Sequence, residues 1–147
     1  MLTCYKVAKY FLSLCNEDSG DLISNLKLQK LVYYAQGFSL AINSRPLFNE
    51  KIQAWPHGPV VPDLYEEYKR YGSGALPTVN LDINFDDFSE EDKELLDDVY
   101  EVYGQFSAWK LRNMTHDEYP WKSTYQQGRS NEISHDKLRN YFITLIQ

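Results

Sequence analysis

Three histidines, His57, His116 and His135, are the side chains whose ordinary titration falls near neutrality. His57 lies in Trp55-Pro56-His57-Gly58-Pro59, and His116 opens His116-Asp117-Glu118 shortly before Trp121. Brought together with Asp63 or Asp117, the first two would make a divalent-metal or general-base site. Structural roles account for each more simply. An imidazole just past a helix end satisfies loose carbonyls, which suits His116. His57 in a proline-filled loop bonds to backbone, and His135 falls in the exposed first turn of the last helix. No catalytic residue, metal or cofactor is therefore expected. An enzyme built on His57 and His116, a small hydrolase or nucleotide-modifying protein, is an alternative that requires a pocket of converging polar groups.

The rest of the sequence offers little to such an enzyme. It has no Gly-rich phosphate loop, no Gly-x-Ser-x-Gly elbow and no His-Glu-x-x-His pair. Cys4 and Cys15 read as one helix face beside Val7, Ala8 and Phe11, about 16 Å apart along the axis, too far for a disulfide. They read as small buried thiols.

Charge divides the chain. Residues 1–74 carry 8 Lys/Arg against 7 Asp/Glu, whereas residues 75–147 carry 7 against 14. Ten of those acids lie between Asp82 and Glu101, with Lys93 the one basic residue among them. Nucleic-acid binding draws on cations at phosphate, so this balance argues against a general DNA or RNA binder. The acidic run reads first as a solvated face. A second alternative, an inhibitor that mimics nucleic acid in a basic groove, would use it directly and bind in a salt-sensitive way.

These residues must be positioned by helices. Thr3 caps a helix over about Cys4–Asn16, and Asn16–Asp21 is a loop by composition. Asn25 is expected to cap a longer helix to about Asn43, apolar nearly all round and so central to the fold. Pro46 to Pro62 reads as a stiff, irregular stretch in which Ile52, Ala54 and Trp55 form a short strand against Leu47 and Phe48. A third helix spans about Pro62–Tyr71, and residues 72–88 are irregular. Ser89 caps a helix with Leu95, Val99, Val102 and Tyr103 as its buried stripe, ended by Gly104. Ser107 caps a short helix to about Met114, and His116–Trp121 follows as a loop. Ser134 opens a last helix buried through Leu138, Tyr141, Phe142, Leu145 and Ile146.

The expectation is a mainly α, compact domain of about six helices with at most a short two-stranded β element, one unit over residues 1–147. No window is apolar enough to span a membrane, and the N-terminal residues lack a signal-peptide layout, so the cytoplasm is expected. Twelve tyrosines and three tryptophans exceed what one small core needs and suit a protein-binding surface.

The run Asn25-Leu26-Lys27-Leu28-Gln29-Lys30-Leu31-Val32-Tyr33-Tyr34-Ala35-Gln36-Gly37-Phe38 resembles the second helix of the SocA-like, or Panacea, antitoxin domain family. The resemblance continues through Pro46-Leu47-Phe48, Ala54-Trp55-Pro56-His57-Gly58-Pro59-Val60-Val61-Pro62 and Leu64-Tyr65. Tyr103-Gly104, Leu111, Thr115-His116-Asp117-Glu118, Pro120-Trp121 and Ile133-Ser134 complete it. The tryptophan–glycine–proline segment and Thr-His-Asp-x-x-Pro-Trp are its specific parts. Lys110 stands where the family often has an acidic or amide residue, which alters the capping box after Ser107.

The resemblance implies an antitoxin of a bacterial or phage toxin–antitoxin system that neutralises its cognate toxin by direct contact. It also implies, as an alternative, an adaptor that delivers the toxin to an ATP-dependent protease. No membrane partner is expected, and no appended helix-turn-helix suggests direct DNA binding. The expected contact patch is Trp55, His57, Gly58 and Pro59, with Tyr65, His116, Asp117 and Trp121 nearby, because stiff loops lose little entropy on binding. The competing role for Trp55, Gly58, Pro59 and Trp121 is to lock helices together.

Overall fold

Residues 1–16 and 21–147 are described by the computed structural model, so most of the loop read over Asn16–Asp21 lies outside the described residues. The elements are α1 (Cys4–Leu14), α2 (Asn25–Ile42), β1 (Gln53–Trp55), β2 (Gly58–Val60), α3 (Pro62–Tyr68), α4 (Glu90–Tyr103), α5 (Ala108–His116), α6 (Tyr119–Lys122) and α7 (His135–Leu145). Single 3-10 turns follow α3 at Lys69–Tyr71 and precede α4 at Phe85–Asp87. The domain is mainly α with a two-stranded antiparallel sheet, as the residue pattern requires. No described helix is long and apolar enough to cross a membrane.

Side-chain caps set the helix starts. Thr3, Ser89, Ser107 and Ser134 each hold an extended backbone and accept the N–H three residues on. In α2 the cap is Ser24, accepting from Lys27 N at 3.2 Å, and not Asn25 as expected. Asn25 is occupied elsewhere: its amide oxygen accepts from Gln29 Nε2 at 3.1 Å. Cys4 is buried, while Cys15 sits just past α1 as its C-cap, with Sγ directed to the Asp21 carbonyl at 3.1 Å.

The central helix is α2, packed against α1, α3, α4, α5 and α7. Its apolar residues Leu28, Leu31, Val32, Tyr33, Tyr34 and Ala35 are fully buried, and so are Lys30 and Gln36. At Gly37 the α7 side chain Phe142 occupies the space where a Cβ would stand. The absent side chain lets the two helices meet. Aromatic edges then fill this layer: Phe142 meets Tyr33 at 5.5 Å and Phe38 at 4.9 Å between ring centroids.

Four expectations need correction. The strand partner is not Leu47-Phe48 but Gly58–Val60, in register Gln53↔Val60, Ala54↔Pro59 and Trp55↔Gly58. Leu47 and Phe48 instead give their N–H groups to Gln36 Oε1 at 2.8 and 3.4 Å, and Gln36 Nε2 donates to the Phe48 carbonyl at 2.8 Å. The stretch expected to be irregular is thus a hairpin turning at Pro56-His57, with Pro59 opposite Ala54. Ala54 donates outward, to Asn131 O at 2.9 Å, so Pro59 occupies a non-hydrogen-bonded register position and the sheet loses nothing by its missing N–H.

His116–Trp121 is not a loop either: His116 ends α5, and Pro120 lies within the first turn of α6, where its missing N–H is harmless. Finally, Val102, Leu145 and Ile146 are exposed. Periodicity marked them as buried, but each lies near the end of its helix, where no neighbouring element covers it.

Candidate functional site

The hairpin is fastened to the helices by polar groups that enter it from α2 and α6. Gln29 Oε1 accepts Val61 N at 2.8 Å. Lys30 Nζ donates to the Pro59 carbonyl at 3.2 Å. Trp121 Nε1 donates to the Trp55 carbonyl at 2.7 Å. Gly58 holds φ +115°, and a Cβ there would lie 2.8 Å from Lys30 Cε and 2.9 Å from Thr115 Oγ1. Only glycine combines that backbone with that approach.

Lys30 is wholly buried. Desolvation, reinforced by the Arg112 charge, brings its ammonium down to about 7. At the start of α6, Glu118 accepts the hydroxyls of Tyr33 at 2.9 Å and Tyr34 at 2.8 Å. Burial raises the Glu118 carboxyl to about 7, against the two hydroxyl bonds that lower it. Desolvation and the Glu118 charge raise both tyrosines in turn.

The eight expected contact residues converge on this hairpin and its supports. Trp121 stacks on His116 at 4.0 Å and 3°, and on Tyr125 at 4.7 Å and 14°. Trp55 meets Tyr65 edge-on at 5.1 Å, and its indole N–H donates to Gln53 Oε1 at 2.9 Å. His57 and Asp117 are exposed, Gly58 and Pro59 are buried, and Trp55, Tyr65, His116 and Trp121 are half-buried.

Above the hairpin lies a groove of about 310 Å³ lined by Leu26, Trp55, His57, Val60, Tyr65 and Trp109. Trp109 is 62% exposed and carries the Arg112 guanidinium over its ring at 4.5 Å. Sequence reasoning missed Trp109 as a candidate. Its position in the first turn of a capped helix, away from the Leu111 and Thr115 that face the core, was the available signal.

His57 acts on His116 through its charge, but the surroundings are cationic. His116 is lowered by desolvation first, then by Arg112, Lys30 and His57, with the Pro56 carbonyl opposing. Its Nε2 is enclosed without a hydrogen-bond partner, as is Arg112 Nε. Asp63 is not among the charges that act on His116; it acts on Cys4 instead. Among the described residues no group of three His, Cys, Asp or Glu side chains could hold a metal. A divalent cation placed beside His116 would meet Arg112 and Lys30.

The chain is thus a helical fold with a polar-locked hairpin and an aromatic groove at one end of its central helix. The chain belongs to the family described as "Antitoxin SocA-like, Panacea domain", whose model matches residues 28–122, from α2 through α6. A segment of 50 residues is 48% identical to "Antitoxin SocA" of Caulobacter vibrioides (strain NA1000 / CB15N). That segment covers 34% of this chain and 27% of the relative. No solved structure matches. Family membership supports an antitoxin role.

Proposed function

We propose that this protein is an antitoxin that neutralises a cognate toxin by direct contact, working in the cytoplasm without catalysis. The groove face supplies the contact: Trp109, His57, Tyr65 and Trp55 touch the toxin, with Asp117 at the edge. Gly58, Pro59, His116 and Trp121 hold that face in place from beneath. The observation that carries this reading is an exposed tryptophan beside a hairpin fixed by Gln29, Lys30 and Trp121, in a chain of an antitoxin family. Exposed aromatics on a pre-ordered scaffold contribute most of the energy in many interfaces, because little entropy is lost on docking.

The test begins with a neighbouring gene whose product stops growth when expressed alone. Co-expression of this chain restores growth. Trp109→Ala and His57→Asp abolish rescue, with melting temperature within a few degrees of wild type, since both side chains are exposed. Full rescue by both variants would reject this face as the contact.

A further inference from the structure

The opposite end of α2 bears a different surface. From Leu26 at the hairpin groove to Ile42 is about 24 Å along the helix axis, so this second surface is separate from the first. Here a trough runs between α2 and α4. Phe38, Ile42, Leu95, Val99, Val102 and Tyr103 form an apolar cavity of about 200 Å³. Beside it a second cavity of about 310 Å³ shares Ile42, Leu95 and Asp98 and adds Asn43, Glu91 and Glu94. From Glu91 to Val102 the trough follows α4 for about 16 Å, or three helical turns. Ile42 is 55% exposed and Val102 49%, although both are aliphatic.

We infer that this trough is a docking site for an amphipathic helix with a basic flank, contributed by a partner protein. The walls are two helices whose backbone groups are satisfied internally, so no strand edge is offered and an extended peptide would have nothing to pair with. A helix lays side chains at i, i+4 and i+7 into such a trough, and its length matches three turns. Charge names the flank. Along α4 stand Glu90, Glu91, Asp92, Glu94, Asp97, Asp98 and Glu101, with Lys93 the one basic residue. Arg45 engages Glu91 and Asp92, and Tyr10 donates to Asp97. Among the described residues Glu94 and Asp98, on the trough rim, have no such partner. Lysines or arginines beside the apolar stripe of an incoming helix would meet them. The amide nitrogen of Asn43, enclosed and without a hydrogen-bond partner, lies at the same end. A second copy of this chain is a poor occupant, because pairing this face with itself would set α4 acids against α4 acids.

The probe is a synthetic helical peptide of about 15 residues with Leu at i, i+4, i+7 and i+11 and Lys on both flanks, labelled for fluorescence anisotropy. Controls replace every Lys by Glu or scramble the order. The full chain binds the basic helix. Val102→Glu and Ile42→Glu weaken it at least tenfold, Glu94→Gln with Asp98→Asn weakens it several-fold, and about 0.5 M NaCl does the same. Amide shifts on binding fall on Phe38, Val99 and their neighbours. The inference is overturned if the basic helix fails to bind, or if the Glu-bearing peptide binds equally. It is also overturned by self-association that Ile42→Glu abolishes. Shifts confined to residues 53–60 and 107–112 would overturn it too, while leaving the hairpin face as the toxin contact. Loss of rescue by Trp109→Ala bears only on that other face, so the two readings fail independently.

Discussion

The two halves of α2 are held by different physics. Toward its N-terminus Lys27, Gln29 and Lys30 are buried and hydrogen-bonded, two of them solely to backbone, at Gly104 and Pro59. Toward its C-terminus the contacts are mostly rings, Tyr103 on Tyr34 at 3.9 Å and Phe38 on Phe142 at 4.9 Å, with Gln36 a buried amide among them that holds the Leu47-Phe48 segment. Directional bonds fix the hairpin in one geometry, whereas packed rings tolerate adjustment. A buried amide must find its partners or cost the full desolvation of the groups it abandons. One helix therefore carries a rigid face at one end and an open trough at the other.

The largest effects should come from breaking the buried polar contacts. Gln36→Leu strands the Leu47 N–H and the Phe48 carbonyl and should cost about 2–4 kcal/mol by chemical denaturation. Gly58→Ala should cost about 2–3 kcal/mol, and shortening Lys30 should not recover it, because the positive φ remains. Gly37→Ala offers the contrast: about 1–3 kcal/mol, largely recovered in combination with Phe142→Leu, since only packing is at fault. Equal recovery in the two double variants would erase the distinction between the halves.

A smaller effect follows pH. Glu118 holds its proton more tightly folded than unfolded, with its value raised from 4.5 to about 7. Its stabilisation is therefore full below about pH 4.5 and is lost as pH rises through 7. Wild type should lose on the order of 2 kcal/mol relative to Glu118→Gln between pH 5 and 7.5. Lys30 works the other way: lowered from 10.5 to about 7, it contributes stability above its unfolded value that is lost as pH falls through 7. The weakest prediction concerns the surface pair Arg45–Glu91, where Glu91→Gln should change stability by less than about 1 kcal/mol.

Much of this was legible because local rules sufficed. Ser89, Ser107 and Ser134 were found as caps because capping needs only the next three residues, and α2 was recognised as central from its apolar circumference. What escaped depended on partners distant in sequence. Asn25 and Ser24 are both good caps, and Gln29 decided between them. Leu47-Phe48 looks like a strand until Gln36, 11 residues away, takes its N–H groups. Lys30 and Glu118 read as ordinary charges, and their burial depends on the hairpin and α6 closing over them. The motif residues that share the hairpin and its supports carry a signal in the sequence, but Trp109 beside them carries a weaker one, since exposure of a tryptophan is decided by where neighbouring elements stop.

The most direct test of the central claim is hydrogen exchange on the purified chain with and without the proposed toxin partner. Slowed exchange across residues 53–60 and the first turn of α5, with α1 unchanged, is the expected result. Protection that avoids the hairpin and α5 altogether would contradict it.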